Sequence, residues 1–180
     1  MAELFSTERL TVRNFTPADA DDLAGFLTDP EVCYFEPYEP FTKEECVQEA
    51  VMLSESNELF AIELNGKVIG KIFFAERQFG SYEIGYTLHR DYQGTGYALE
   101  SVRGMMEYAF RELGVRRIFA EIDTRNEPSW RLAERLGMRR EAEHRELFPR
   151  KGCPGVYNDF YIYAMLGSEM PGAGSGGGAQ

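Results

Sequence analysis

One stretch, SYEIGYTLHRDYQGTGYALES (Ser81 to Ser101), constrains the fold more than any other. A strand pattern reaches two glycines one residue apart, and a helical pattern resumes at once. A chain that passes from a glycine turn straight into a helix leaves the first helical N–H groups unpaired and pointing outward. With the helix dipole behind them, those groups form a site for an anion such as phosphate. Gly94 and Gly96 lack a Cβ, so a diphosphate can approach the backbone closely and positive φ is accessible. A plain tight turn closing a sheet fits the same two glycines.

The rest of the chain supplies the frame. RLTVRNF (Arg9 to Phe15) alternates apolar and polar residues as a strand does, and Thr16-Pro17 then opens a helix over about residues 17–28. DPEVCYFEPYEPF, broken by Pro30, Pro37 and Pro40, reads as an irregular loop. Thr42 and Glu45 form a capping box for a second helix. Two strands meet at Asn65-Gly66, the strongest short hairpin signal, and SYEIGYTLHR follows as a third. The helix after the glycine turn carries Leu99, Val102, Met106, Ala109, Phe110 and Leu113 on one face and stops at Gly114. RRIFAEID is a strand, PSWRLAERLG a short helix and GVYNDFYIYAML a closing strand. The order β-α-α-β-β-β-α-β-α-β is α+β, a meander followed by a βαβ crossover. Residues 1–167 read as one domain, and the glycine-rich SEMPGAGSGGGAQ, 168–180, as a disordered tail.

Charge and cysteines narrow the function. A net charge of −11 disfavours nucleic acid, and no apolar run is long enough to span a bilayer. Cys33, Cys46 and Cys153 are scattered and odd in number, which points to a reducing, cytoplasmic setting without disulfides. With only His89 and His144 and no metal-ligand spacing, no metal site is expected. A dinucleotide-binding oxidoreductase would use a similar turn, and Asp123 would imitate its ribose-binding acid. However, GxGxxG would need a small residue at position 99, where Leu stands, and three strands precede a turn that should follow the first.

QGTGYA (Gln93 to Ala98) matches the Q/R-x-x-G-x-G/A motif of the GNAT acyltransferases. NEPSWRLAERLGM (Asn126 to Met138) resembles that family's second block, N-x-x-S and a helix ending Leu-Gly-Phe, with Met138 in the aromatic's place. TERLTVRNFTPADADDLAGFLTDPEV, YEIGYTL and GVYNDFYIYAML are similar to the branch that includes the RimJ- and RimL-type ribosomal-protein N-terminal acetyltransferases, in the right order over residues 5–167. The resemblance implies the GNAT acyl-CoA N-acyltransferase fold, a central mixed twisted sheet flanked by helices. It also implies acetyl-CoA as co-substrate and a primary amine as acceptor, either a protein N-terminus or a small molecule, in a monomer or homodimer.

By the same resemblance the diphosphate lies on amides of Gln93, Gly94, Thr95, Gly96, Tyr97 and Ala98. The pantetheine arm pairs with the main chain at Tyr86, Thr87 and Leu88 and is bonded by Asn126. An ordinary core strand and a helix-opening turn are the plainer readings of those last four residues. Attack on a thioester needs a neutral amine, and free amines have pKa values of about 8 to 10.4, so a base is required. Glu83 matches a glutamate proposed as base in the RimL-type enzymes; a strand-edge ion pair is its plainer role. Five residues before Leu88 it faces the opposite way, and a bulge would be needed to re-aim it. Many GNAT enzymes place an acidic tyrosine where this chain has Ala133, which leaves Ser129 as the candidate acid, or as a helix-start residue. The missing tyrosine also admits a non-catalytic acyl-CoA-binding module. Glu36, Tyr38 and Glu39 lie in the proline-broken loop that resembles the acceptor-binding region, an acidic mouth for a cationic acceptor.

Overall fold

The computed structural model describes residues 3–170. Its elements are β1 (Glu3–Ser6), β2 (Thr11–Asn14), α1 (Ala20–Leu27), α2 (Lys43–Ser54), β3 (Leu59–Leu64), β4 (Lys67–Glu76), β5 (Ser81–Leu88), α3 (Tyr97–Arg111), β6 (Arg117–Asp123), α4 (Glu127–Arg135), β7 (Arg139–Pro149) and β8 (Tyr157–Leu166). Hydrogen-bonded neighbours in the mixed sheet follow the order β1-β2-β3-β4-β5-β6-β8-β7. The chain divides into two compact units, one holding residues up to Phe74 and Gly85–Gly104, the other Ala75–Ile84 and the residues from Met105 onward. No helix among the described residues is long and apolar enough to cross a membrane.

In the first unit, β2 pairs antiparallel with β1 and β3, and β3 with β4. The β3–β4 hairpin turns at Asn65 and Gly66, both at positive φ (51° and 83°), as a two-residue primed turn demands. Thr42 caps α2 reciprocally: its Oγ1 accepts from Glu45 N at 3.2 Å, while its own N–H donates to Glu45 Oε2 at 2.6 Å. Leu23, Phe26 and Leu27 of α1 pack with Cys46, Ala50 and Leu53 of α2 over Phe15, Ala61 and Val68. The start of the first helix is a 3-10 turn, Pro17–Asp19, capped by Thr16. Asp19 there accepts a two-pronged bond from Arg13, 2.9 Å on each oxygen, and a 2.7 Å bond from the Thr16 N–H. Arg13, 4% exposed, also donates to Glu63 at 2.5 Å.

Gly70 on β4 lies against β5. A Cβ there would overlap the Thr87 carbonyl oxygen and press on Leu88, both too rigid to yield. Gly70→Ala is therefore expected to shift β5 and to cost about 1–3 kcal/mol, the range for overpacking. A urea melt with an unchanged midpoint would disprove the contact.

In the second unit β6 is central. It runs parallel to β5, with Glu83 opposite Phe119, and antiparallel to β8, which also pairs with β7. Ile118, Met105, Met106, Ala109 and Tyr163 are fully or almost fully buried. Gly114 (φ 65°) and Gly137 (φ 84°) follow the ends of α3 and α4.

Several expectations are corrected. The first predicted strand shortens to Thr11–Asn14 and gains the edge strand β1. A whole strand, β7, follows α4 where none was read, because nearly all its residues are exposed and it carries no apolar alternation. The buried face of α3 includes Met105 and loses Leu113, which lies beyond the helix and is 51% exposed. Order continues past Gly167 through a 3-10 turn to Met170, which is buried. The remaining tail, 171–180, lies outside the described residues.

Candidate active site

The glycine turn has the geometry of an anion cradle. Gly94 and Gly96 adopt φ of 74° and 90°, in the region that a side chain resists. Gln93 Nε2 donates to the Leu88 carbonyl at 3.1 Å and Thr95 Oγ1 to the Tyr92 carbonyl at 2.7 Å, which lock the turn to the strand before it. The first helical bond of α3 runs from Glu100 N–H to the Gly96 carbonyl. From Gly94 to Leu99 no main-chain N–H has an acceptor among the described residues. A run of unpaired amides at the head of a long helix is what a phosphate needs.

The amino-terminal arm supports this turn. Phe5 and Thr7 lie so near Gly104 of α3 that a Cβ there would collide with both. Thr7 Oγ1 donates to Glu100 at 2.6 Å, and Arg9 binds the same carboxylate through its main-chain N–H (2.8 Å) and its Nε (2.6 Å). The Arg9 guanidinium lies 4.4 Å over the Tyr97 ring and donates to the Thr95 carbonyl at 3.3 Å. None of these ties was foreseen from the sequence.

On β5, Thr87 and Leu88 are buried and Tyr86 is half-buried. The Thr87 hydroxyl donates to Glu36 Oε1 at 2.7 Å, fastening the proline-broken loop to the strand. Lys71 of β4 is buried as well, its ammonium 4.6 Å from the Tyr38 ring centre. The acceptor-loop expectation singled out Glu36 and Tyr38; it missed Lys71, whose signal was a lone cation inside the apolar run of β4. Glu39 is exposed.

The second unit holds the remaining candidates. Glu83 is in an ion pair with Arg77, 2.7 Å from both Nε and Nη2. Glu121 on β6 lies on the side of the strand that Phe119 occupies opposite Glu83. Burial, and then the charge of Glu83, push its carboxyl above the usual range. A carboxyl with raised proton affinity is suited to general-base work near neutral pH. The sequence reading missed it because Glu121 alternates with Ala120 and Ile122 as an ordinary outward-facing residue would. Asn126 caps α4, its Oδ1 accepting from the Ser129 N–H at 3.4 Å. The Ser129 hydroxyl is half-buried and has no hydrogen-bond partner among the described residues. Ala133 is buried in α4, and Tyr163 donates to Glu134 at 3.0 Å. None of the three cysteines is in a disulfide.

Known proteins resemble this arrangement along most of the chain. Residues 9–139 match the family described as acetyltransferase (GNAT) domain. The N-acetyltransferase YnaD of Bacillus subtilis (strain 168) is 32% identical over 169 residues, covering 91% of this chain and 97% of YnaD. The crystal structure of a GNAT-family acetyltransferase from Bacillus anthracis superposes with a TM-score of 0.85 at 30% identity, over 91% of this chain and 98% of that one. RimL, a ribosomal L7/L12 α-N-protein acetyltransferase solved with coenzyme A, shares the fold at a TM-score of 0.78 and 19% identity, over 92% of this chain and 98% of its own. The turn, the fold and these relatives place the chain in the GNAT family, as an N-acetyltransferase.

Proposed function

We propose that this acetyltransferase takes its acetyl group from acetyl-CoA and delivers it to a primary amine in the cytoplasm. The observation that carries the donor is the run of unpaired amides from Gly94 to Leu99 behind two glycines at positive φ. It suits a diphosphate, and the RimL structure holds coenzyme A on the same fold. When bound, acetyl-CoA supplies an acyl thioester, whose carbonyl carbon is the electrophile.

The chain's own residues then have separable tasks. Amides of Gly94, Thr95, Gly96, Tyr97 and Ala98 grip the diphosphate, whereas the Gln93 N–H is committed to the Arg90 carbonyl and supports the turn instead. The main chain of Tyr86, Thr87 and Leu88 and the side chain of Asn126 hold the pantetheine arm. Glu83 and Glu121 work as a carboxylate pair. Glu83 is ion-paired with Arg77; burial, and then Glu83, raise the proton affinity of Glu121, which takes the amine's proton as the C–N bond forms. Ser129, whose hydroxyl is uncommitted, donates to the departing sulfur.

Calorimetry with coenzyme A and with NAD, followed by thiol release from acetyl-CoA in the presence of an amine panel, tests the reading. Coenzyme A is expected to bind and NAD not, with thiol released only when an amine is present. Binding of NAD without coenzyme A would return the turn to dinucleotide chemistry.

A further inference from the structure

Lys71 is the least explained charge in the first unit. It is 6% exposed on a strand otherwise filled by Val68, Ile69, Ile72 and Phe74. Among the described residues no carboxylate lies within 4.0 Å of its ammonium. The Tyr38 ring face, 4.6 Å away, offsets part of the cost of burying that charge, but a ring face does not replace the bonds an ammonium makes in water. Burial pushes the group below the usual lysine range, while the charges of Glu36 and Glu49 act on it from further off in the other direction. A buried cation without an ion-pair partner is a seat for an anion.

An anionic group sits close by without meeting it. Glu36 is held at 2.7 Å by the buried Thr87 hydroxyl, so its carboxylate is fixed relative to β5. Tyr38, whose ring meets Lys71, also feels Glu36: burial and this carboxylate together drive its phenol well above the usual range.

We infer that Lys71 and Glu36 form a two-charge seat for the acceptor, which is therefore an amine that carries a carboxylate beside it, an amino-acid-like zwitterion. The inference rests on the acetyl-transfer reading above and names the acceptor of that reaction. Lys71 takes the carboxylate; Glu36 draws in the ammonium form, which releases one proton to solvent so that the neutral amine attacks. A polyamine would bring a second cation against Lys71. A protein N-terminus has a neutral amide where a free amino acid has its carboxylate.

The test compares free amino acids with their amides, together with a polyamine and an N-terminal peptide, at saturating acetyl-CoA. Wild type is expected to show a KM about tenfold or more lower for the acid than for its amide, and thermal shift should favour the acid likewise. Lys71→Met, which keeps an unbranched side chain of nearly the same length without its charge, should collapse that ratio toward one. Glu36→Gln should raise KM for acid and amide together. Preference for the amide, the peptide or the polyamine overturns the seat, and so does a Lys71→Met enzyme that retains the acid preference. Coenzyme A calorimetry on each variant shows whether the donor site is intact. Wild type that binds coenzyme A yet ignores every acid also refutes the seat, whereas wild type that fails to bind coenzyme A refutes the donor reading beneath it.

Discussion

Replacing Glu121 by Gln is expected to lower kcat by about 10²- to 10⁴-fold while coenzyme A affinity stays near wild type. The amide side chain keeps the shape of the carboxylate and loses its basicity, so the loss falls on the chemical step. The pH–rate profile gives the sharper test. Burial and the neighbouring Glu83 charge raise the proton affinity of Glu121, so activity should climb as pH rises through that raised value. Glu83→Gln removes the neighbouring charge; Glu121 then binds its proton less tightly, and the acid limb should move to lower pH. If Glu83→Gln instead abolishes turnover and Glu121→Gln leaves it intact, the base is Glu83, as the sequence resemblance implies.

The largest expected loss of stability follows Asp19→Asn. The change leaves the Arg13 guanidinium buried, with Glu63 as its remaining carboxylate partner and with the two-pronged bond to Asp19 gone. Breaking a buried ion pair from one side costs about 3–5 kcal/mol, which at about 2–4 °C per kcal/mol lowers Tm by roughly 10 °C. The acid response should change with it. Burial alone would raise the Asp19 carboxyl, but the bonds from Arg13 and from the Thr16 N–H outweigh it and hold the group below its usual range. Its folded pKa is below its unfolded one, so the pair's contribution is complete above the unfolded value and is lost as pH falls through the folded one. Denaturant melts across that acidic range should show wild type losing stability more steeply than Asp19→Asn; parallel slopes would show that the pair is not what acid breaks.

What the sequence made legible was local. Asn65-Gly66, the Thr42–Glu45 box and Gly94-x-Gly96 each specify their backbone within four residues, and each is found as read. What it hid depends on partners remote in the chain. β7 has no apolar face to announce it and exists because β8 offers a ladder. Arg13 looks like an outward-facing residue of an alternating strand until Asp19 and Glu63 close on it. Glu121 acquires its raised proton affinity from burial and then from a carboxylate on another strand. The candidate site divides the same way. Its glycine turn was plain in the letters, whereas Lys71 and Glu121 needed register and burial to stand out.

The arm that braces the glycine turn has a consequence for how the protein is made. Thr7 and Arg9 bond to Glu100 across separations of 93 and 91 residues. Their binding partner is synthesised long after they are. Closing so wide a circuit forfeits more chain freedom than any neighbouring turn and rewards it only at the end. The brace is therefore a late act of maturation, closed only after the first turn of α3 has emerged.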